Sequence, residues 1–167
     1  MTIYTQRLVI RHLGLDDYPQ YADLTSQPEV ESGAGFNLIN NPQMIQSALK
    51  RQLRAPGSYG IFKGSQLIGA ILLFKRIGKG GRPDDHHLEM SYFLTPTCWG
   101  QGYMSEAIAG LIANLRGHPL IKSIVAEVFV DNKRSMALLK RLKFAFVTEI
   151  RDPIVGRQKV IYELKLT

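Results

Sequence analysis

The chain has 167 residues, of which 45% are apolar and 21% charged, which excludes a disordered protein and predicts one globular domain over residues 1–167. Its only cysteine, Cys98, excludes an intrachain disulfide and a multi-cysteine zinc site, and a reducing cytoplasm suits such a protein. The formal net charge of +7 favours an anionic ligand such as nucleotide phosphates, although a solvated basic surface would give the same excess.

The first part of the chain predicts a strand, two helices and a β-hairpin. After a strand at residues 8–13, Asp16 or Asp17 is expected to cap a helix that runs to about Thr25. Residues 31–41 are rich in Gly and Asn and predict a loop.

The second helix begins with a strong signal, because Asn41 can cap it and Pro42 suits its first position. We expect this helix to end at residues 55–57. Residues 59–62 and 66–74 then predict two strands joined by a tight turn.

The second half of the chain predicts a loop, four strands and two helices. The glycine-rich basic loop is expected at residues 77–85. Strands are expected at residues 87–94, 124–130, 144–150 and 158–166, the last two antiparallel, and helices at residues 102–115 and 133–142. Apolar residues recur at helical spacing most clearly over residues 102–115. These elements predict a mixed α/β fold in which one sheet is flanked by helices.

Neither a membrane span nor a signal peptide is expected. The longest apolar run, residues 68–74, is far shorter than the about 20 residues that a span needs. The first ten residues lack a long apolar segment with a cleavage site. We therefore expect a cytoplasmic protein that does not act at a membrane.

The connection into the helix at residues 102–115 has the form of an anion-binding loop. Gly100 and Gly102 let the backbone approach an anion closely, and the first N–H groups of the helix point toward it. The lysine and hydroxyl of a P-loop are absent, and Ser105 stands where a dinucleotide-binding loop needs its third glycine. A simple tight turn remains an alternative interpretation.

Four blocks of sequence, in order and spacing, resemble the GCN5-related N-acetyltransferases (GNAT), and among them the Rim-type ribosomal-protein N-acetyltransferases. The blocks are residues 5–11 (TQRLVIR), 67–69 (LIG), 99–107 (WGQGYMSEA), and 132–135 (NKRS) with Leu138 and residues 142–144 (LKF). Three positions depart from the superfamily pattern. Trp99 and Met104 occupy the first and last positions of the coenzyme loop, and Leu139 replaces a tyrosine that usually protonates the thiolate.

The resemblance implies a single GNAT-like α/β domain and an N-acetyltransferase that uses acetyl-CoA without a metal. The implied sheet is mixed, mostly antiparallel and splayed between the strands at residues 89–94 and 124–130, where pantetheine would lie. The residues implied in coenzyme binding are Phe93, Leu94, Thr95, Gly100, Gln101, Gly102, Tyr103, Met104, Ser105, Asn132, Arg134 and Ser135. Lys133 and Lys140 are further candidates for the adenosine phosphates, and Phe36 is a candidate for the acceptor mouth.

Direct acyl transfer in a ternary complex requires a base, because an ammonium group is not a nucleophile. Glu89 is the candidate base, since burial in an apolar strand should raise its pKa, and the matching glutamate of the Rim-type branch is proposed to act through water. His87, on the same strand face, is the alternative base. Ser135 is the candidate acid because Leu139 cannot serve, and a backbone N–H near Leu94 is expected to bind the oxyanion.

The acceptor and the partners are less well defined. A protein N-terminal α-amine is favoured over a small amine such as a polyamine, an amino acid or an antibiotic, because the N-terminal half has few acids. A non-catalytic module that binds acyl-CoA or RNA is a third hypothesis. Cys98 is rejected as an acyl-carrying nucleophile. No direct DNA binding is expected. The sequence agrees with either a monomer or a homodimer, and it agrees with transfer of either an acetyl group or a longer acyl group.

Overall fold

The structure, a computed structural model, describes residues 1–34 and 41–166. Its strands are β1 Thr2–Tyr4, β2 Val9–His12, β3 Ser58–Lys63, β4 Gln66–Ile77, β5 Pro83–Leu94, β6 Ser123–Phe129, β7 Ala145–Arg151 and β8 Gln158–Lys165. Its α-helices are α1 Tyr18–Thr25, α2 Pro28–Ala34, α3 Pro42–Arg54, α4 Tyr103–Leu115 and α5 Lys133–Arg141. Three single turns of 3₁₀ helix lie at Leu15–Asp17, Lys79–Gly81 and Pro96–Cys98. The predicted mixed α/β fold is confirmed.

The strands pair in the order β1-β2-β3-β4-β5-β6-β8-β7. The pairs β1–β2, β2–β3, β3–β4, β6–β8 and β7–β8 are antiparallel, whereas β5 and β6 are parallel, which confirms a mixed, mostly antiparallel sheet. The β5–β6 ladder runs from His87↔Ser123 to Glu89↔Val125, and both strands continue beyond it.

The chain divides into two compact units, which we describe separately. The first unit comprises residues 1–72 and 92–111, and the second comprises residues 73–91 and 112–167. The single domain over residues 1–167 stays a prediction. No helix within residues 1–34 and 41–166 is both long and apolar enough to cross a membrane.

The core of the first unit forms where the helices α1, α2 and α3 pack on the β3–β4 hairpin. Its buried members are Leu13, Tyr21, Leu24, Val30, Leu53, Phe62, Leu67, Ala70, Leu72 and Phe93. Asn41 caps α3 as predicted, since its Oδ1 accepts hydrogen bonds from the N–H groups of Gln43 at 2.9 Å and Met44 at 3.2 Å. The predicted hairpin is also confirmed, with Lys63 opposite Gln66 at its turn.

Two elements of the first unit differ from the sequence predictions. The loop predicted at residues 31–41 is wrong over its first part, because α2 continues to Ala34. Pro28 suits the first position of that helix, where its missing N–H is not needed, and Glu29 and Glu31 favour the first turn. Residues 35–40, including the candidate Phe36, lie outside the described residues. Strand β1 was not predicted, because three residues are too few for a periodic pattern.

The core of the second unit lies on one face of β5, β6 and β8. Along β5 and β8, buried apolar side chains alternate with partly exposed ones, whereas β6 is buried on both faces from Ser123 to Ala126. The buried members of this face are Leu88, Met90, Ile124, Ala126, Val128, Val160, Tyr162 and Leu164. The other face of β5 carries Glu89, opposite buried Val125 of β6.

Candidate functional site

The loop that is predicted to bind an anion lies in the first unit, between a strand and a helix. Strand β5 ends at Leu94, and α4 begins at Tyr103. Gly100 and Gly102 between them have φ angles of +73° and +80°, in the left-handed region that favours glycine. The bond from Glu106 N–H to the Gly102 carbonyl, at 3.0 Å, opens the helical ladder. The N–H groups that precede it lie at the positive end of the helix dipole, where an anion binds well.

The segment between the strand and the loop is held by internal hydrogen bonds. Thr95 N–H donates to the Ile68 carbonyl at 2.8 Å, and the indole N–H of Trp99 donates to the Leu94 carbonyl at 2.8 Å. The Thr95 hydroxyl donates to the Gln27 side chain at 2.9 Å. Thr95 N–H and the Leu94 carbonyl therefore each already have a hydrogen-bond partner within the protein.

A second set of contacts anchors the loop to the N-terminal segment, and sequence reasoning missed it. Glu106, in the first turn of α4, accepts from Thr5 Oγ1 at 2.6 Å, Arg7 N–H at 2.8 Å and Arg7 Nε at 2.7 Å. Arg7 Nη1 also donates to the Gln101 carbonyl at 3.0 Å, and its guanidinium lies 4.4 Å from the ring centre of buried Tyr103. Because about a hundred residues separate the partners, a single sequence offers no signal for this pairing.

These contacts also determine the charge on Glu106. Burial acts to raise the pKa of Glu106, but hydrogen bonds from Thr5 and Arg7 outweigh it and lower the pKa. Glu106 is therefore ionised near neutral pH and paired with the Arg7 guanidinium. Met104, the second residue of α4, is buried, and its role in coenzyme binding stays a prediction.

The candidate base lies on the polar face of β5 in the second unit. Glu89 is half-buried and alternates with buried Leu88 and Met90, so His87 shares its face as predicted. The His87 ring Nδ1 lies 2.8 Å from the hydroxyl of Ser123, which is buried. Glu89 and His87 are thus both brought to one face, but His87 already has a hydrogen-bond partner.

The surroundings of Glu89 perturb its ionisation. Burial raises the pKa of Glu89, and the neighbouring carboxylate of Glu127 raises it further, against the opposing charges of Arg76 and Lys159. Lys159 Nζ lies 3.3 Å from Glu127 Oε2 and 2.6 Å from Asp152 Oδ2. A carboxylate with a raised pKa on a strand of this kind is suited to general-base chemistry near neutral pH.

Asp152 is the second acidic partner of Lys159. Hydrogen bonds from Lys159 and from the backbone N–H groups of Val155 and Ile154 lower the pKa of Asp152 to about 2. Lys159 is thus held between Glu127 and an aspartate that is always charged near neutral pH. Within the described part of the chain, no group of three His, Cys, Asp or Glu side chains could hold a metal ion.

The helix α5 carries the remaining predicted site residues. Asn132 caps this helix, because its Oδ1 accepts from Ser135 N–H at 3.1 Å. Arg134 is exposed and Ser135 is partly exposed, and their contact with the coenzyme stays a prediction. Leu139, in the position of the usual tyrosine acid, is fully buried at 0% exposure and belongs to the core of the unit. The role of Ser135 as acid stays a hypothesis.

The comparisons with known proteins agree with this geometry. A family model for an acetyltransferase (GNAT) domain matches residues 7–145. The chain is 26% identical over 158 residues to an uncharacterized N-acetyltransferase, p20, of Bacillus licheniformis, covering 90% of this chain and 86% of that protein.

Two solved structures have a similar fold. One is an acetyl transferase from Salmonella typhimurium that modifies the N-terminal serine of 50S ribosomal subunit protein L7/L12, with a TM-score of 0.80, 15% identity and 99% of both chains covered. The other is the microcin C7 self-immunity acetyltransferase MccE in complex with acetyl-CoA and AMP, with a TM-score of 0.76, 19% identity, and 96% and 93% of the two chains covered. Identities this low establish the likeness of fold alone.

Proposed function

This chain belongs to the acetyltransferase (GNAT) family, and we propose that it transfers the acetyl group of acetyl-CoA to a protein N-terminal α-amine of the ribosomal-protein type. Membership in this family identifies an enzyme and removes the hypothesis of a non-catalytic RNA-binding module. The observation that carries the use of acetyl-CoA is the loop before α4, in which two left-handed glycines precede the first N–H groups of a helix. The small number of acids in the N-terminal half and the fold likeness to the Salmonella typhimurium enzyme support the acceptor. We further propose that the enzyme acts in the cytoplasm.

Coenzyme binding is proposed for groups at the loop before α4 and for groups at the start of α5. In the first unit, the backbone at Phe93 and Leu94 is proposed to pair with pantetheine. The N–H groups of residues 100–105 are proposed to hold the diphosphate, an assignment that the helix dipole supports. In the second unit, Asn132, Arg134 and Ser135 at the start of α5 are proposed to contact the coenzyme.

The chemistry assigned to Glu89 is removal of a proton from the acceptor ammonium through a water molecule. The neutral amine then attacks the thioester carbonyl, so a C–N bond forms as the C–S bond breaks, and the departing thiolate takes a proton to become free CoA. Ser135 is proposed to give the thiolate this proton and to regain one from the nitrogen, which is cationic after the attack and loses a proton as the amide forms. The half-buried position and raised pKa of Glu89 support its role.

The pH dependence of acetyl transfer follows from the surroundings of Glu89. A base must be unprotonated, so kcat/KM should fall as the pH drops through the raised pKa of Glu89. Lys159→Met removes a positive charge that opposes this rise, and we expect it to move the acid limb of the pH profile to higher pH. Lys165→Met, which removes an exposed lysine of the same strand, is the control. An unmoved limb in Lys159→Met would contradict the assignment.

The acceptor is tested by the release of free thiol from acetyl-CoA. Peptides with different N-terminal residues are compared with polyamines, amino acids and aminoglycosides at equal concentrations, and the same peptides with a blocked N-terminus serve as controls. We expect the unblocked peptides to release thiol at least tenfold faster than any small amine. Preferential release with a small amine would favour the alternative that the fold likeness to MccE supports.

A further inference from the structure

We propose that Arg7 is a positioning residue for the coenzyme loop, which it holds in its binding geometry through Glu106 and Gln101 before acetyl-CoA arrives. This inference rests on the proposed function, because it takes the N–H groups of residues 100–105 as the binding site of the diphosphate. All the residues concerned lie in the first unit.

The carboxylate of Glu106 lies in the first turn of α4, at the helix end where an anionic ligand is expected. An uncompensated carboxylate there would repel the diphosphate. Arg7 prevents this because its backbone N–H and its Nε bind the two carboxylate oxygens at 2.8 and 2.7 Å, and Thr5 Oγ1 adds a third bond at 2.6 Å. The guanidinium therefore cancels the charge that would oppose binding.

Arg7 also fixes the peptide bond between Gln101 and Gly102, because its Nη1 donates to the Gln101 carbonyl at 3.0 Å. In a planar trans peptide, the carbonyl and the N–H of the next residue point in opposite directions. Fixing the carbonyl toward Arg7 therefore directs the Gly102 N–H away from Arg7. Gly102, on one side of this peptide, is in the left-handed region, and the freedom of a glycine backbone alone would leave the peptide many orientations.

A second arginine of the same unit provides a matched comparison. Arg11 binds Asp17 through two hydrogen bonds of 2.9 and 2.8 Å and lies 4.0 Å from the ring centre of Phe62. Arg11 lies in β2, the strand that follows Arg7 in the sequence, and makes the same kinds of contact as Arg7. None of its described contacts involves the loop at residues 100–105. The variant Arg11→Met therefore shows how much stability is lost with an arginine ion pair that does not contact the loop.

The test measures CoA affinity by calorimetry, KM and kcat for acetyl-CoA, and the melting temperature of wild type, Arg7→Met, Arg7→Lys and Arg11→Met. We expect Arg7→Met to raise the Kd for CoA and the KM for acetyl-CoA at least fivefold, with kcat within twofold of wild type. Arg7→Lys keeps a charge but not the planar fork, and we expect it to recover part of the affinity. Arg11→Met should lower the melting temperature and leave KM within twofold.

Each outcome separates this inference from the proposed function. Absence of CoA binding by the wild-type protein overturns both. Wild-type binding with an unchanged KM in Arg7→Met, or an equal rise of KM in Arg11→Met, overturns the positioning role alone. Should Arg7→Met fail to fold, Arg7→Lys decides the question, since it keeps a positive charge but loses the planar fork that joins Glu106 and Gln101. A KM for acetyl-CoA within twofold of wild type in Arg7→Lys would then refute the inference.

Discussion

Glu89→Gln is expected to lower kcat for acetyl transfer by at least tenfold and to leave the Kd for CoA within twofold of wild type. Glutamine keeps the shape of the side chain but cannot accept the proton of the acceptor ammonium. General-base catalysis raises a rate by about 10²–10⁴-fold. The part of this gain that is lost in Glu89→Gln depends on the fraction of the acceptor amine that is already unprotonated in solution. The deficit should therefore shrink as the pH rises toward the pKa of the acceptor amine. Steady-state rates at several pH values, together with calorimetry, check both statements.

The stability of this variant helps to interpret its rate. Because the folded-state pKa of Glu89 is raised, its stabilising contribution is present below its unfolded pKa and is lost as the pH rises through the folded pKa. At neutral pH the ionised side chain therefore weakens the fold, and Glu89→Gln should melt at the same temperature as wild type or higher. A large loss of turnover in a protein at least as stable as wild type cannot be a consequence of unfolding.

A matched control comes from the same unit. Glu163, on β8 opposite Val125, is also a partly buried strand glutamate, and Glu163→Gln removes one carboxylate without touching the candidate base. We expect its kcat to stay within twofold of wild type. Wild-type turnover in Glu89→Gln would remove Glu89 from the mechanism. If His87→Gln then lost activity, the role of base would pass to His87, despite the contact of that ring with Ser123.

Elements whose signals are local could be predicted from the sequence. Asn41 and Pro42 start α3 through hydrogen bonds and a fixed φ that depend on neighbouring residues only. The same holds for the short turn at Gly64, which joins β3 and β4. Strand β1 could not be predicted, because a three-residue strand is stable only through its pairing with β2. Helix α2 was missed because Gly and Asn beyond it resemble a loop.

The candidate site divides in the same way. Gly100 and Gly102 were found because the conformation they allow is a property of the residues themselves. The loss of the tyrosine at position 139 could be noticed in the sequence, but its reason could not. Leu139 is a fully buried core residue, so a polar hydroxyl at that place would have to find a partner in an apolar environment. The Arg7–Glu106 pair joins segments about a hundred residues apart and required the fold.

Gly100→Ala is expected to raise the KM for acetyl-CoA about tenfold. Gly100 has a φ of +73°, where a side chain costs about 1–2 kcal/mol. The loop can release this strain by leaving the left-handed conformation, which turns its N–H groups away from the diphosphate. Since 1.4 kcal/mol corresponds to a factor of ten in affinity, the strain energy and the expected change in KM agree. A methyl group at Gly100 would meet no heavy atom within 4 Å, so steric clash does not contribute.

The paired variant Gly80→Ala separates strain in general from strain in the coenzyme loop. Gly80 has a φ of +75° and equally open surroundings, but it lies in the connection between β4 and β5. Both variants should lose about 1–2 kcal/mol of unfolding free energy or rearrange locally, and only Gly100→Ala should change KM. Equal KM values in the two variants would show that the backbone of this loop does not bind the coenzyme. The Kd for CoA of the two variants, measured by calorimetry without an acceptor, should differ in the same way as KM. The comparison therefore holds whichever amine the enzyme acetylates.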